Sequence, residues 1–262
     1  TLLYQPLVNA LIGFYYLFGN LGVAIIALTV ALRAAMIPLT APSLKAAQKM
    51  KELQPELEKL KQKYKHDKTE FAKAQMGLYK KHGANPMAGC LPQIVQIIIL
   101  IALFQAFSQV LKADGDIVNK LNKILYPFLR LAADHKINTH FFYLDLTKPD
   151  MFALPFKLDL GIIKLDKLPG LFLIASAVTQ FLSSKMMMPI VKKEEKLAKK
   201  TEGKTDDMAA AMQGQMLYFM PVMTLLIGFT FPSGLVLYWL TFSLVMMLQQ
   251  QWSAAQAGKK AK

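Results

Sequence analysis

The sequence predicts an all-α polytopic membrane protein, and two observations carry this prediction. Hydrophobic residues make up 54% of the 262 residues and charged residues only 18%, which is below the quarter usual in soluble domains. The charges are also segregated, because residues 1–32, 91–111 and 208–258 contain none. Uncharged apolar runs of ~20 residues match the ~30 Å hydrocarbon core of a bilayer, whereas a soluble fold does not need them.

Five transmembrane helices form the predicted core. The fourth and fifth come from one uncharged stretch, divided by Phe231-Pro232-Ser233-Gly234, a turn signal that predicts a tight hairpin. Each segment is long enough to cross the bilayer at ~1.5 Å per residue. The predicted spans are residues 21–41, 91–111, 170–190, 213–231 and 234–250.

Residues 1–20 are predicted to form an amphipathic helix that lies in the membrane interface. Leu7, Leu11 and Phe14 recur at helical spacing, while Gln5 and Asn9 make another face partly polar. A helix of this kind fits the interface better than the interior of the bilayer. A sixth span is the alternative interpretation of these residues.

Residues 42–90 are polar and helical in character, which predicts a helical hairpin in water. Apolar residues follow a three-four pattern through Leu53 and Leu57. Asp67, with Glu70 three residues later, is typical of a helix start, and Gly83 is typical of a stop. A single kinked amphipathic helix is the alternative.

The charge distribution orients the chain. Eleven lysines lie in residues 42–90, six in the linker 191–212 and three in the tail 251–262. The positive-inside rule places these segments in the cytoplasm. Residues 112–169 carry eight lysines, one arginine and seven aspartates, and form the predicted external loop. Five spans then place the N-terminus outside and the C-terminus inside. The net charge of +14 follows from this sorting, and no nucleic-acid-binding signature accompanies it.

Arg33 is the candidate centre of a functional site. It lies twelve residues after Leu21, or roughly 18 Å into the first span. A charge at mid-span costs about 2.5–3.5 kcal/mol on insertion scales, and such residues usually mark functional cavities. None of the five predicted spans contains an acidic residue. We therefore expect a water-filled groove open to the cytoplasm; the alternative is an arginine that snorkels to the interface.

Other polar residues of the predicted spans are candidates to line this groove. Thr29 lies one turn before Arg33, so both face the same way. Each of the others alone is more often a hydrogen-bond partner between helices, or an interfacial aromatic residue. The predicted groove residues are Arg33, Thr29, Gln96, Gln105, Thr179, Gln180, Tyr238 and Trp239.

Catalytic and cofactor motifs are not evident, so the sequence predicts no enzyme, cofactor or metal. The sequence has no Gly-Lys phosphate loop. Ser233 has no histidine in any predicted span to serve as its base, and Lys185 near Ser183 and Ser184 fits a snorkelling anchor better than a catalytic pair. Cys90 is the only cysteine, which rules out an internal disulfide. The alternative function is an ion or small-anion channel or transporter that uses Arg33 as an anion site.

Five ordered motifs resemble the YidC/Oxa/Alb family of insertases. They extend over residues 3–252, and the long loop 112–169 departs from the family pattern. Thr29 and Arg33 fall where the family has its groove threonine and arginine. The motifs are Gln5-Pro6-Leu7, Gly19-Asn20-Leu21-Gly22, Leu53-Gln54-Pro55-Glu56, Asn85-Pro86-Met87-Ala88-Gly89-Cys90-Leu91-Pro92 and Phe231-Pro232-Ser233-Gly234-Leu235-Val236-Leu237-Tyr238-Trp239.

This resemblance implies a five-span core around a hydrophilic groove that is closed toward the outside. Client membrane proteins with acidic or polar N-terminal tails would enter the groove at Arg33 and pass into the lipid. The resemblance also implies that the hairpin receives clients, that the basic tail contacts ribosomes, and that the Sec translocon is a partner. The implied location is the bacterial cytoplasmic membrane, and an upstream signal peptide or domain is compatible with the start at Thr1.

Overall fold

A computed structural model of the chain describes residues 4–64, 67–84, 97–105, 117–159, 164–187, 218–219 and 221–260. Most of these residues are helical, as the predicted fold class requires. They form two compact units. The first draws on residues within 1–34, 98–183 and 217–247, and the second on residues within 35–97, 184–216 and 248–262.

Helix α1 extends over Tyr4–Phe18. Its 15 residues measure roughly 22 Å, which is shorter than the ~30 Å hydrocarbon core and disfavours a sixth span. Val8 and Ile12 pack in an apolar cluster with Leu121, Leu125 and Leu131 of the predicted external loop. The polar face also meets this loop, because the Asn9 side chain donates to the Ile124 carbonyl and accepts from the Tyr126 N–H.

Helix α2 extends over Leu21–Glu52. Gly19 has a φ of +67°, which permits the turn between α1 and α2. Asn20 then begins α2, since its Oδ1 accepts from the N–H groups of Gly22 and Val23. The helix continues through Pro38 and Pro42, so the predicted boundary between span and hairpin at residue 41 is not a helix end.

Helices α3 (Gln54–Lys63) and α4 (Lys68–Lys81) form a helical hairpin in the second unit. Leu53 and Leu57, at the start of α3, pack with Tyr79 and Ala84, at the end of α4, so the two helices are antiparallel. The Asp67 side chain accepts from the Glu70 N–H at 3.0 Å, and the turn after α4 contains Gly83 with a φ of +59°. Both ends lie at the residues from which the sequence predicted them.

Residues 117–169 are more regular than the predicted loop. They contain the short helix α5 (Ile117–Asn122), a 3-10 turn at Pro127–Leu129 and two antiparallel strand pairs. The strands are β1 (His140–Phe141) with β2 (Leu144–Asp145), and β3 (Met151–Asp159) with β4 (Lys164–Pro169). The expectation of an all-α chain is therefore wrong for this segment. A segment predicted to lie outside the bilayer can pair its main chain in strands, because only main-chain groups in hydrocarbon are restricted to helices and closed barrels.

Helix α6 (Leu171–Met187), the helical residues 221–228 and helix α7 (Ser233–Lys260) complete the described fold. A turn at residues 229–232 joins the last two, where the hairpin was predicted. Among the described residues, two helical stretches are long and apolar enough to cross a membrane, Leu21–Ser43 and Ser233–Ser253, and Leu171–Met186 is a shorter apolar helix. Of the predicted spans 91–111 and 213–231, only residues 97–105, 218–219 and 221–231 lie within the described part.

Candidate functional site

Arg33 is buried inside the first unit rather than extended toward solvent. It is the thirteenth residue of α2, and only 7% of its surface is exposed. Its guanidinium carbon lies 4.4 Å from the centre of the Phe242 ring on α7. A guanidinium over an aromatic face is attracted by the ring quadrupole, so this contact holds the charge between two helices.

The α7 side of this contact is an aromatic pair. Tyr238 lies one helical turn before Phe242, and their ring centres are 6.0 Å apart. Tyr238 is fully buried, whereas Phe242 and Trp239 are half-buried. The sequence predicted Tyr238 and Trp239 as site residues and missed Phe242, although its spacing of four from Tyr238 places both on one helix face.

Thr29 lies one turn before Arg33 on α2 and is almost completely buried. Its hydroxyl donates to the Ile25 carbonyl at 2.6 Å, a bond within the helix that satisfies a threonine in an apolar segment. The predicted placement of Thr29 and Arg33 on one face of α2 holds.

A second polar pair links α6 to the helical residues 221–228. The Thr224 hydroxyl donates to the Gln180 Oε1 atom at 2.6 Å. Thr179, beside Gln180, donates to the Ala175 carbonyl at 2.8 Å. Thr224 was not predicted, because one threonine in an apolar run gives no periodic signal.

Serines form a further link between α6 and α7. The Ser183 hydroxyl donates to the main-chain carbonyl of Ser243 at 3.2 Å, and both residues are buried. Interhelical bonds of this type hold membrane helices together. The Ser233 hydroxyl also makes a structural hydrogen bond, since it donates to the Asp145 carbonyl at 2.9 Å.

Gln105 does not join this arrangement. Gln105 is exposed, so the structure does not bring it into the buried polar layer. Gln96 lies outside the described residues. We use the name buried polar layer for the buried and half-buried residues of these contacts in the first unit, including the ring that Arg33 packs on: Thr29, Arg33, Thr179, Gln180, Thr224, Tyr238 and Phe242.

Residues 138–150, which we call the outer segment after their predicted location, close the end of the first unit where three helices begin. The Leu21 N–H of α2 donates to the Asn138 carbonyl at 3.0 Å. The N–H of Ser233, at the start of α7, donates to the Lys148 carbonyl at 2.7 Å. Asp150 accepts from the Leu173 N–H of α6 at 2.8 Å. Helices α2, α6 and α7 therefore all start at the same end.

Asp150 lies at the end of the first unit where the three helices begin, and it is only 2% exposed. Besides the Leu173 N–H, its carboxylate accepts from the Tyr143 hydroxyl at 2.9 Å. Burial raises the pKa of Tyr143, against the effect of its backbone hydrogen bond with Phe172, so the hydroxyl stays a donor at neutral pH. A carboxylate at a helix N-terminus also interacts favourably with the helix dipole. An added Cβ at Gly170 would overlap the Asp150 carboxylate, which explains the glycine.

Comparisons with known proteins agree with the motifs. The family model described as "60Kd inner membrane protein" matches residues 13–260. A protein of Fusobacterium nucleatum named "Membrane protein insertase YidC" is 34% identical over 88% of this chain and 85% of its own length. Proteins of the same name from Syntrophobacter fumaroxidans and Pelobacter propionicus are 33% and 34% identical over 96% of this chain. The chain spans 38% of the length of each of those two relatives.

Proposed function

Since the chain belongs to the YidC/Oxa/Alb family of membrane protein insertases, we propose that it moves client transmembrane segments, with their short polar tails, from the cytoplasm into the bilayer. The observation that carries this proposal is the burial of Arg33 midway along an apolar helix, against the face of Phe242. The side chain turns inward, which supports a functional charge over a snorkelling anchor.

The route for the client tail is a hydrophilic groove centred on Arg33. Thr29 precedes Arg33 on α2, and Gln180 with Thr224 adds polar atoms on neighbouring helices of the same unit. Thr179, Tyr238 and Trp239 complete the described lining, and Gln96 and Gln105 remain predicted members. Polar groups are costly in a span, so their accumulation in one unit supports a path for polar cargo.

The membrane topology proposed for this function has five spans, an external N-terminus and a cytoplasmic C-terminus. The common end at which α2, α6 and α7 begin supports it, because the chain must return across the membrane between each pair of these parallel helices. Residues 97–105 and 221–228 are helical and lie in the two predicted returning spans. The lysines of the hairpin region, linker and tail support a cytoplasmic location for these three segments.

The energetics of this route need no covalent step. At an effective dielectric of ~20, a carboxylate ~4 Å from the guanidinium gains ~4 kcal/mol before desolvation is subtracted. That attraction draws an acidic tail partway into the membrane and still permits its release. Burial of the client's own apolar segment in lipid then supplies the downhill step.

Ribosomes and the Sec translocon are the proposed further partners. The C-terminal residues 251–262 carry three lysines, and the hairpin region 42–90 carries eleven. Such basic surfaces are suited to the phosphate backbone of ribosomal RNA. In this proposal the protein lies in the bacterial inner membrane, acts alone or beside the Sec translocon, and meets ribosomes on the cytoplasmic side.

Reconstitution tests this proposal directly. Purified protein in liposomes is supplied with a single-span client that has an acidic N-terminal tail, and insertion is followed by protection from external protease. Arg33→Ala is compared with Arg33→Lys. Arg130→Ala is the matched control, because Arg130 is the only other arginine and is exposed outside the spans.

We expect Arg33→Ala to abolish insertion, and Arg33→Lys and Arg130→Ala to retain most of it. Insertion by Arg33→Ala at the wild-type rate would make Arg33 a structural anchor and remove the centre of the groove. A wild-type protein that inserts nothing, but carries small anions across the same vesicles, would favour the channel alternative instead.

A further inference from the structure

Five aromatic side chains form a continuous cluster beside the starts of α2 and α6. Neighbouring ring centres are 4.9–6.3 Å apart. This outer aromatic cluster consists of Phe141, Phe142, Tyr143, Phe152 and Phe172.

Several rings of the cluster are exposed, and exposed aromatic surface is unfavourable in water. Phe142 is 84% exposed, and Tyr143 and Phe152 are each 45% exposed. Phe142 also has a φ of +51°, a left-handed conformation that residues other than glycine and asparagine rarely adopt. A backbone held in this conformation, at the turn of the β1–β2 hairpin, presents an aromatic ring outward.

The position of the cluster coincides with the ends of membrane spans. The Phe141 ring packs so closely on Gly22 that an added Cβ would overlap it, and Gly22 is the second residue of the apolar stretch Leu21–Ser43. Phe172 is the second residue of α6. The cluster therefore lies level with the starts of two apolar helices that are predicted spans.

An apolar stripe continues from the cluster along α6. Leu171, Ile174, Val178 and Leu182 are each more than two-fifths exposed, and their spacing of three, four and four places them on one helix face. A membrane protein covers such a face with lipid tails, because these side chains are as apolar as the tails themselves. The stripe and the cluster thus form one surface.

We propose that the outer aromatic cluster is a membrane-interface anchor, seated among the lipid headgroups and upper acyl chains of the outer leaflet, with Phe142 inserted deepest. Aromatic rings concentrate at this depth of a bilayer. Because the same outer segment holds the N-termini of α2, α6 and α7, the anchor fixes the closed end of the unit at the membrane surface.

Depth-resolved fluorescence quenching tests the anchor. In a Cys90→Ser background, which removes the only cysteine, Phe142→Cys is labelled with an environment-sensitive fluorophore and the protein is reconstituted into phosphatidylethanolamine–phosphatidylglycerol liposomes. Quenchers are iodide in the water and nitroxide lipids labelled either near the headgroup or at the acyl end. Asp134→Cys is the matched control, an exposed acidic site on the same external segment.

We expect the label at residue 142 to be quenched most by the nitroxide near the headgroup, and several-fold less by iodide than the label at residue 134. Phe152→Cys, with Phe142 intact, should behave like the first variant, which covers the case that labelling at 142 disturbs the turn. Equal iodide quenching at 142, 152 and 134 would overturn the proposal. Protection from iodide without quenching by either lipid would also overturn it, by showing that protein covers the cluster.

Discussion

The outer segment and the buried polar layer both hold polar side chains in the interior of the first unit, but they use them differently. At the outer segment, the buried Asp150 carboxylate accepts the Leu173 N–H in the first turn of α6, and the main-chain carbonyl of Asn138 accepts the Leu21 N–H of α2. In the polar layer, Arg33 and Thr224 lie within helices, where the main chain is already satisfied. Polar groups in the outer segment therefore stabilise the fold, whereas those in the buried polar layer are energetically unfavourable where they lie.

This difference predicts that stability and activity separate along the first unit. Substitutions at the outer segment remove hydrogen bonds that the fold needs, so they should destabilise the protein. Substitutions in the polar layer remove groups that are costly in an apolar span, so they should change insertion more than stability. The variants below test this division.

Asp150→Ala should give the largest effect on stability. It leaves the buried Leu173 N–H without its acceptor, which costs ~1–3 kcal/mol, and it also removes the acceptor of the partly exposed Tyr143 hydroxyl. We expect a loss of about 3 kcal/mol, measured by SDS titration of the detergent-solubilised protein. Asp134→Ala, at an exposed site, should change stability by no more than about 0.5 kcal/mol. Equal effects at both positions would refute the role of Asp150 in closure.

Phe242→Leu tests the role of the buried polar layer in this comparison. It removes the ring beneath Arg33 but keeps an apolar side chain of similar reach, so the lost cation–π attraction should cost about 1 kcal/mol. Insertion should fall further than this stability loss suggests, because the guanidinium is no longer held in place. Phe242→Tyr retains the ring face and is the control. If Phe242→Leu inserts clients as well as Phe242→Tyr does, Phe242 does not position Arg33.

Thr224→Val measures the bond to Gln180. Alone, it should cost about 1 kcal/mol, because the Gln180 carbonyl loses its donor. The double variant Thr224→Val with Gln180→Leu should recover most of that loss, since replacing both partners by apolar groups is nearly neutral. The SDS midpoints of the four proteins form a double-mutant cycle, and additive losses would show that the two side chains are not coupled.

The sequence predicted the elements that depend on local pattern. Charge-free runs predicted apolar helices, of which Leu21–Ser43 and Ser233–Ser253 are the two long ones among the described residues; Asp67 with Glu70 located a helix start, and the spacing of Thr29 and Arg33 placed both on one face. Both the cap at Asp67 and the shared face of Thr29 and Arg33 depend only on residues within one helical turn of each other. Properties of this kind need no knowledge of the rest of the fold.

The missed residues depend on contacts between distant parts of the chain. Asp150 caps a helix that begins 21 residues later, and Thr224 pairs with Gln180 across two helices. The place of Gln105, which is exposed, depends likewise on the rotation of its helix. In an almost uniformly apolar helix the hydrophobic pattern does not fix that rotation. The strands β1 to β4 were also missed. In β3, Pro155 interrupts the alternation of side chains, and the β3–β4 register shifts between Ala153 and Leu158.

Asp145→Asn should give the smallest effect, and its pH dependence identifies its origin. Burial raises the pKa of Asp145, but hydrogen bonds from Thr147 and Lys148 outweigh it, and the net pKa lies below its ordinary value. The charged carboxylate therefore stabilises the fold at neutral pH, and this contribution is lost as the pH falls through the lowered pKa. Because Lys148 is largely exposed, the gain is no more than about 1 kcal/mol. SDS midpoints of wild type and Asp145→Asn should differ at pH 7 and converge in acid; a difference that persists in acid would assign the effect to packing around Thr147 instead of charge.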